Sequence, residues 1–282
     1  MALPKCGKFL KLKHGRVHYF DVGCGDTVLF LHGSGPGVTG RANYAGNIHA
    51  FAGHFRCIVM DFPGYGASDS WQGDALHGCI EAAIALLDGL GIKQAHIVGN
   101  SLGGIVGGYI AARHPQRVGK LVSIGGIGIN LFTAFPGEGL NLLTEFVEDP
   151  TRSRLEQWLR SMVYDQSVIT DELIDERFQQ SLEPKTFYTT RSIYARESIQ
   201  GLAQFRKAKG AIETIAHLPD IQAPTLITWG REDRVSSLDV GLIAMRLIPN
   251  CEFHIFPNCG HWTMHEFSSG FESVVFSFLQ RK

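Results

Sequence analysis

The chain has 282 residues, a formal net charge of −1 and 19% charged residues with no basic block, which argues against nucleic acid as a partner. No apolar run approaches the roughly 20 residues that cross a bilayer, and the first residues form no apolar signal segment, so a cytoplasmic location with no membrane partner is expected. The length suits one large α/β domain with an insertion.

In chain order, residues 7–22 predict a β-hairpin, with strands at 9–11 and 17–22 and a turn at His14-Gly15. A buried strand at 27–32 runs into His32-Gly33-Ser34-Gly35-Pro36-Gly37, a loop whose glycines let main-chain N–H groups face a reacting carbonyl. Further strands near 57–61, 95–99 and 121–125 alternate with helical patterns. That alternation predicts a mostly parallel sheet with helices on both faces.

The strand at 95–99 leads into Gly99-Asn100-Ser101-Leu102-Gly103 and then a helix. Gly-x-Ser-x-Gly between strand and helix is a nucleophile elbow, which stands the serine on a strained turn at the top of the sheet. Ser101 is the candidate nucleophile. The backbone N–H of Leu102 is one candidate oxyanion donor. Ser34 N–H is the second, with Gly33 and Gly35 as close alternatives.

From 131 to 213 no strand pattern occurs and charged residues thicken. This stretch predicts a helical cap inserted into a core of residues 1–130 and 214–282. Asp149 as N-cap and Pro150 at the first position can open a helix carrying Leu155, Trp158, Leu159 and Met162 on one face. Thr170-Asp171-Glu172 opens another, and 187–202 reads as a third. On the second of these, Arg177 falls inside the apolar arc of Leu173, Ile174, Phe178 and Leu182, with no carboxylate at i±3 or i±4. An inward arginine needs a charge from elsewhere. A core carboxylate, a snorkelling stem or a substrate carboxylate would each supply an answer.

The sheet resumes at Thr225, and the strand ending at Gly230 is followed by Arg231-Glu232-Asp233. A strand near 251–256 is followed by Pro257-Asn258-Cys259-Gly260-His261-Trp262. The order serine, acid, histidine at successive strand ends gives a triad of Ser101, Asp233 and His261. Ser101 attacks, His261 moves the proton and Asp233 orients the imidazole. Glu232 and Asp239 are competing acids, and His265 a competing base. The six cysteines are scattered without a Cys-x-x-Cys, as reduced thiols usually are. No His-x-x-x-His pair sits on an acidic helix, so no metal is expected.

Four segments together resemble the meta-cleavage product hydrolases, carbon–carbon bond hydrolases of the α/β-hydrolase superfamily. They are the 32–37 loop followed by Asn43, Gly99 to Gly104, Thr228-Trp229-Gly230-Arg231-Glu232-Asp233-Arg234, and Cys259-Gly260-His261-Trp262. The resemblance covers almost the whole chain. Leu102 stands where many relatives have Met, and Glu232 where many have Asp. The resemblance implies an eight-stranded α/β-hydrolase sheet under a cap, and cleavage of the C5–C6 bond of a 2-hydroxy-6-oxohexa-2,4-dienoate without a cofactor. It implies that Arg177 binds the dienoate carboxylate, that Asn43 and Asn100 hold the same end, and that Trp262, Gly33 and Gly35 line the site. Met162 and Val163 are expected at the distal end of the pocket. The partner is a small-molecule substrate, and self-association as a dimer or larger is expected. A carboxylesterase, lactonase or thioesterase of this fold would be indifferent to loss of Arg177. A non-catalytic receptor would show no turnover.

Overall fold

The computed structural model describes residues 1–209 and 212–281; the two positions 210 and 211 of the expected cap lie outside the described residues. Eight strands form one sheet in the order β1-β2-β4-β3-β5-β6-β7-β8. They are β1 Lys8–Leu12, β2 Gly15–Val22, β3 Thr27–Leu31, β4 Arg56–Met60, β5 Ala95–Asn100, β6 Val118–Ile124, β7 Thr225–Gly230 and β8 Cys251–Phe256. The β1–β2 hairpin and the β2–β4 pair are antiparallel. The other five pairings are parallel.

The apolar runs of the central strands have a simple cause. Helices cover both faces of a parallel sheet, so alternate residues of one strand enter two different cores. In β3, Leu29 and Leu31 join a cluster with Leu86, Ile110 and Trp229. Val28 and Phe30 join the opposite cluster with Phe51, Phe271 and Val275. All four β3 side chains are fully buried, each contributing about 1.5–3 kcal/mol relative to exposure. The second cluster also takes in Leu155, Trp158 and Ile174, which anchors the helices between β6 and β7 onto the sheet.

Among the described residues no strand lies between β6 and β7. Helices Glu138–Glu148, Arg152–Ser161, Asp171–Ser181, Pro184–Tyr194 and Arg196–Lys209 occupy the interval. The third begins as the sequence predicts, with Thr170 Oγ1 accepting from Leu173 N–H. Three boundaries differ. Asp149 is the C-cap of Glu138–Glu148 rather than an N-cap, and Thr151 caps the next helix by accepting from Arg154 N–H. The Asp149 carboxylate pairs instead with Arg154 at 3.1 Å. The expected helix at 187–202 is two helices, broken where Ala195 takes ψ 149°. The strand expected at 121–125 starts earlier, at Val118.

Candidate active site

The serine sits where the sheet forces a close approach. Ser101 has φ 51°, a left-handed conformation that costs a non-glycine residue energy, and its N–H donates to Ile124 O at 2.7 Å. A Cβ on Gly99 would lie 2.2 Å from Gly103 O, and one on Gly103 would lie 2.1 Å from Leu31 O. Glycine at both positions lets strand, turn and helix converge. The helix Leu102–Arg113 starts immediately after Ser101, which aims its unpaired first N–H groups and positive dipole end at the serine. Among the described residues, neither Leu102 N–H nor Ser34 N–H has a hydrogen-bond partner. The Gly33 Cβ position is 3.5 Å from Ser101 Cβ, so the 32–37 loop passes directly against Ser101. His32 fixes that loop: its Nδ1–H donates to Gly33 O at 2.5 Å and its Nε2 accepts from Phe62 N–H at 2.8 Å. Burial holds His32 down to about 4, so the ring is neutral.

Asp233 and His261 are coupled at the ends of β7 and β8. Asp233 Oδ2 accepts from His261 Nδ1 at 2.6 Å, and Oδ1 accepts from Val235 and Ser236 N–H at 2.8 and 2.9 Å. Both residues are buried. The Nδ1–H bond leaves Nε2 as the basic nitrogen. The His261 ring borders the same cavity as Ser101. Among the described residues Ser101 Oγ makes no hydrogen bond; contacts between a serine and its base are often long until substrate binds.

The competing groups are committed elsewhere. Glu232 bonds Arg231 at 2.6 Å and Cys259 N–H at 3.0 Å, bracing the loop that carries His261. Asp239 accepts from Leu131 and Phe132 N–H at 2.7 and 2.8 Å. His265 packs edge-on against Trp262, 5.6 Å between ring centres, and borders neither chamber described below. Burial and the Arg177 charge push its pKa down to about 4.

Two chambers meet at the serine, sharing Ser34, Ser101, Leu140, Tyr194, Val235 and His261 as common walls. The smaller, about 50 Å3, is bordered by Gly33, Gly35, Asn43, Asn100, Arg177 and Trp262. Six residues that the sequence scatters over 230 positions thus share one enclosure. Arg177 is 4% exposed, and among the described residues no carboxylate pairs with it. Its guanidinium carbon stands 5.6 Å from the Trp262 ring centre, a cation–π contact. Burial lowers its pKa to about 10, still charged at neutrality. Asn43 Oδ1 accepts from Gly33 N–H at 3.4 Å, while its buried Nδ2 has no partner. Asn100 Nδ2 donates to Ile124 O at 3.3 Å.

The larger chamber holds about 580 Å3 and has mostly apolar walls, including Leu102, Ile105, Ile193, Leu202 and Val240. Met162 is not there. It borders the Arg177 chamber, and Val163 borders neither. The cause is packing: a Cβ on Gly35 would meet Trp158 Cη2 at 2.4 Å, so this helix edge lies over the 32–37 loop. Met162 serves the site through its backbone as well, accepting from His261 N–H at 2.7 Å.

Sequence reasoning missed three residues. Tyr194 OH bonds Ser34 Oγ from the roof of the site. Glu266 accepts from Gly260 N–H at 2.7 Å and from Tyr164 and Asp165 N–H at 2.6 and 2.9 Å, tying the histidine loop to the overlying helices. Arg206 lines the larger chamber. No spacing rule marks any of them: the Tyr194–Ser34 and Glu266–Tyr164 contacts span 160 and 102 residues, and Arg206 meets the chamber only through packing. Among the described residues, no group of three or more His, Cys, Asp or Glu is placed to hold a metal ion.

The sheet and the elbow define the class. Residues 26–268 match the alpha/beta hydrolase fold family, and the chain belongs to it. Within it, the chain is 40% identical over 271 residues to a 2-hydroxy-6-oxononadienedioate/2-hydroxy-6-oxononatrienedioate hydrolase of Paraburkholderia phymatum, covering 94% of this chain and 91% of the relative. It is 36% identical over 273 residues to a 2-hydroxy-6-oxo-6-phenylhexa-2,4-dienoate hydrolase of Burkholderia cepacia, covering 95% and 92%. A meta-cleavage product hydrolase of Pseudomonas fluorescens IP01, solved as a serine-to-alanine mutant with acetates, superposes with a TM-score of 0.87 at 30% identity over 97% of each chain. The protein is a member of the meta-cleavage product hydrolases, serine-dependent carbon–carbon bond hydrolases.

Proposed function

We propose that this enzyme hydrolyses the C5–C6 bond of a 2-hydroxy-6-oxohexa-2,4-dienoate, giving 2-hydroxypenta-2,4-dienoate and a carboxylic acid. The carboxylate and 2-oxygen lie in the small chamber against Arg177, Asn43 and Asn100, with Trp262, Gly33 and Gly35 as walls. The dienol loses its 2-hydroxyl proton, takes up a proton at C5 and becomes its keto form, so that C5 can leave as a stabilised carbanion. Ser101 Oγ attacks the C6 ketone while His261 Nε2 accepts its proton, and Asp233 stabilises the imidazolium. The C6 oxyanion rests on Ser34 and Leu102 N–H. The C5–C6 bond breaks, its electron pair passes to C5 and on to the 2-oxygen, the released dienolate takes up the proton held by His261, and water, deprotonated by the neutral His261, then releases the acid from Ser101. The helices of residues 131–213 act as a cap that keeps bulk water from the acyl-enzyme. The enzyme is expected in the cytoplasm as a dimer or larger, which sedimentation would measure.

The observation that carries this reading is Arg177: a buried cation with no carboxylate partner among the described residues, sharing a chamber with the unpaired Nδ2 of Asn43, beside the serine. A buried charge of this kind is costly unless a ligand anion completes it. The test is Arg177→Met assayed on a 6-phenyl dienoate and on a neutral phenyl ester. Loss of one charge-assisted contact predicts a fall in kcat/KM of roughly 100-fold or more for the dienoate and little change for the ester. Equal losses on both would refute the assignment.

A further inference from the structure

The arginines of the helices over the site divide into two groups. Arg152, Arg154, Arg160 and Arg191 each pair with a carboxylate. Among the described residues, the side chains of Arg177, Arg196 and Arg206 pair with none, and of these Arg177 and Arg206 border opposite chambers. Arg206, on the helix Arg196–Lys209, places its guanidinium carbon 3.9 Å from the centre of the Phe135 ring. Its Nε is buried without a partner. Apart from His261 and the Tyr194 phenol, the other ionisable side chain beside Arg206 on that chamber wall is Asp74, whose carboxylate accepts from His77 N–H at 2.7 Å as a helix cap. Arg206 is partly buried, and its unmet Nε donor in a mostly apolar cavity makes a ligand counter-charge favourable there.

We propose that Arg206 binds a second carboxylate on the C6 substituent, so that the preferred substrate is a dienoate diacid held by an arginine at each end. This rests on the placement of the dienoate given above, with the first carboxylate at Arg177; the C6 substituent then extends past Ser101 into the larger chamber. Phe135 stacks under the guanidinium and holds its plane, leaving the N–H edge for the ligand. A purely apolar substituent would fill the chamber but leave both the charge and the Nε donor unanswered.

Two dienoates of matched length test it: 2-hydroxy-6-oxonona-2,4-diene-1,9-dioate and its analogue with an uncharged propyl group on C6. Wild type is expected to favour the diacid at least 10-fold in kcat/KM. Arg206→Met keeps the apolar stem and is expected to raise KM for the diacid about 10- to 100-fold, leave kcat within about threefold, and spare the propyl substrate. Arg206→Lys should recover part of the loss. Product inhibition needs no variant: succinate, the acid released from the diacid, should inhibit wild type at lower concentration than butyrate. Equal effects of Arg206→Met on both substrates, or equal inhibition by the two acids, would overturn the proposal. Turnover of the propyl dienoate with no preference for the diacid would overturn it while leaving C–C hydrolysis intact. Turnover of neither dienoate would overturn the proposed function with it.

Discussion

Asp233→Asn tests the acid–base geometry through the orientation of a single amide. In the native protein Oδ1 accepts two backbone N–H groups, from Val235 and Ser236, and Oδ2 accepts from His261 Nδ1. The asparagine oxygen must stay on the two backbone donors. Reversing the amide would set N–H against N–H and leave two buried donors unmet, at about 1–3 kcal/mol each. The amide NH2 therefore faces His261 and donates to Nδ1. The ring then carries its proton on Nε2 and can no longer accept one from Ser101. A forced wrong tautomer of this kind costs roughly 10,000-fold in kcat in serine hydrolases, or about 5 kcal/mol of transition-state stabilisation. The assay is disappearance of the visible absorbance of a dienoate at saturating concentration, with a thermal melt to show that the variant is folded. A folded variant with kcat within tenfold of wild type would refute the tautomer argument and the role given to Asp233.

Arg177→Met should trade function for stability. Replacing a 4% exposed, unpaired cation by an apolar side chain of similar length removes a burial penalty of about 1–3 kcal/mol. The ligand-free protein should then melt a few degrees higher, and a lower Tm would contradict the claim that the guanidinium is unpaired in the free enzyme. Asp239 should contribute an acid-sensitive term. Burial alone would raise its pKa, but hydrogen bonds from the Ser237 and Thr133 hydroxyls and from Phe132 and Leu131 N–H outweigh that and hold it below the usual carboxylate range. A folded pKa below the unfolded one means the stabilisation is complete above about pH 4 and is lost as pH falls through the lowered value. Melting from pH 7 to pH 3 should therefore fall more steeply for wild type than for Asp239→Asn; parallel curves would contradict this.

The core and the candidate triad were legible because local chemistry dictates both. A strained serine needs glycine two residues to either side, and sheet strands covered on two faces must be apolar throughout. Ser101, Asp233 and His261 could be placed by their order at strand ends, and Arg177 by its position on the wrong face of a helix. The residues that escaped notice depend on packing between distant segments. Met162 lies near Arg177 rather than at the far end because Trp158 seats its helix on Gly35, a contact with no counterpart in periodicity. Asp149 looked like an N-cap because Asp-Pro is a common helix opening, yet Thr151 offered a hydroxyl two residues later and Arg154 drew the carboxylate away. Glu266 and Tyr194 close the site across separations of 102 and 160 residues, beyond any local pattern.

The most direct test of the account is the turnover number of Ser101→Ala on a dienoate that wild type consumes. With the nucleophile gone and the Asp233–His261 pair untouched, kcat should fall by at least about 1,000-fold, with substrate binding to Arg177 retained. A kcat within tenfold of wild type would contradict the account, because the carbon–carbon bond would then be breaking without the serine.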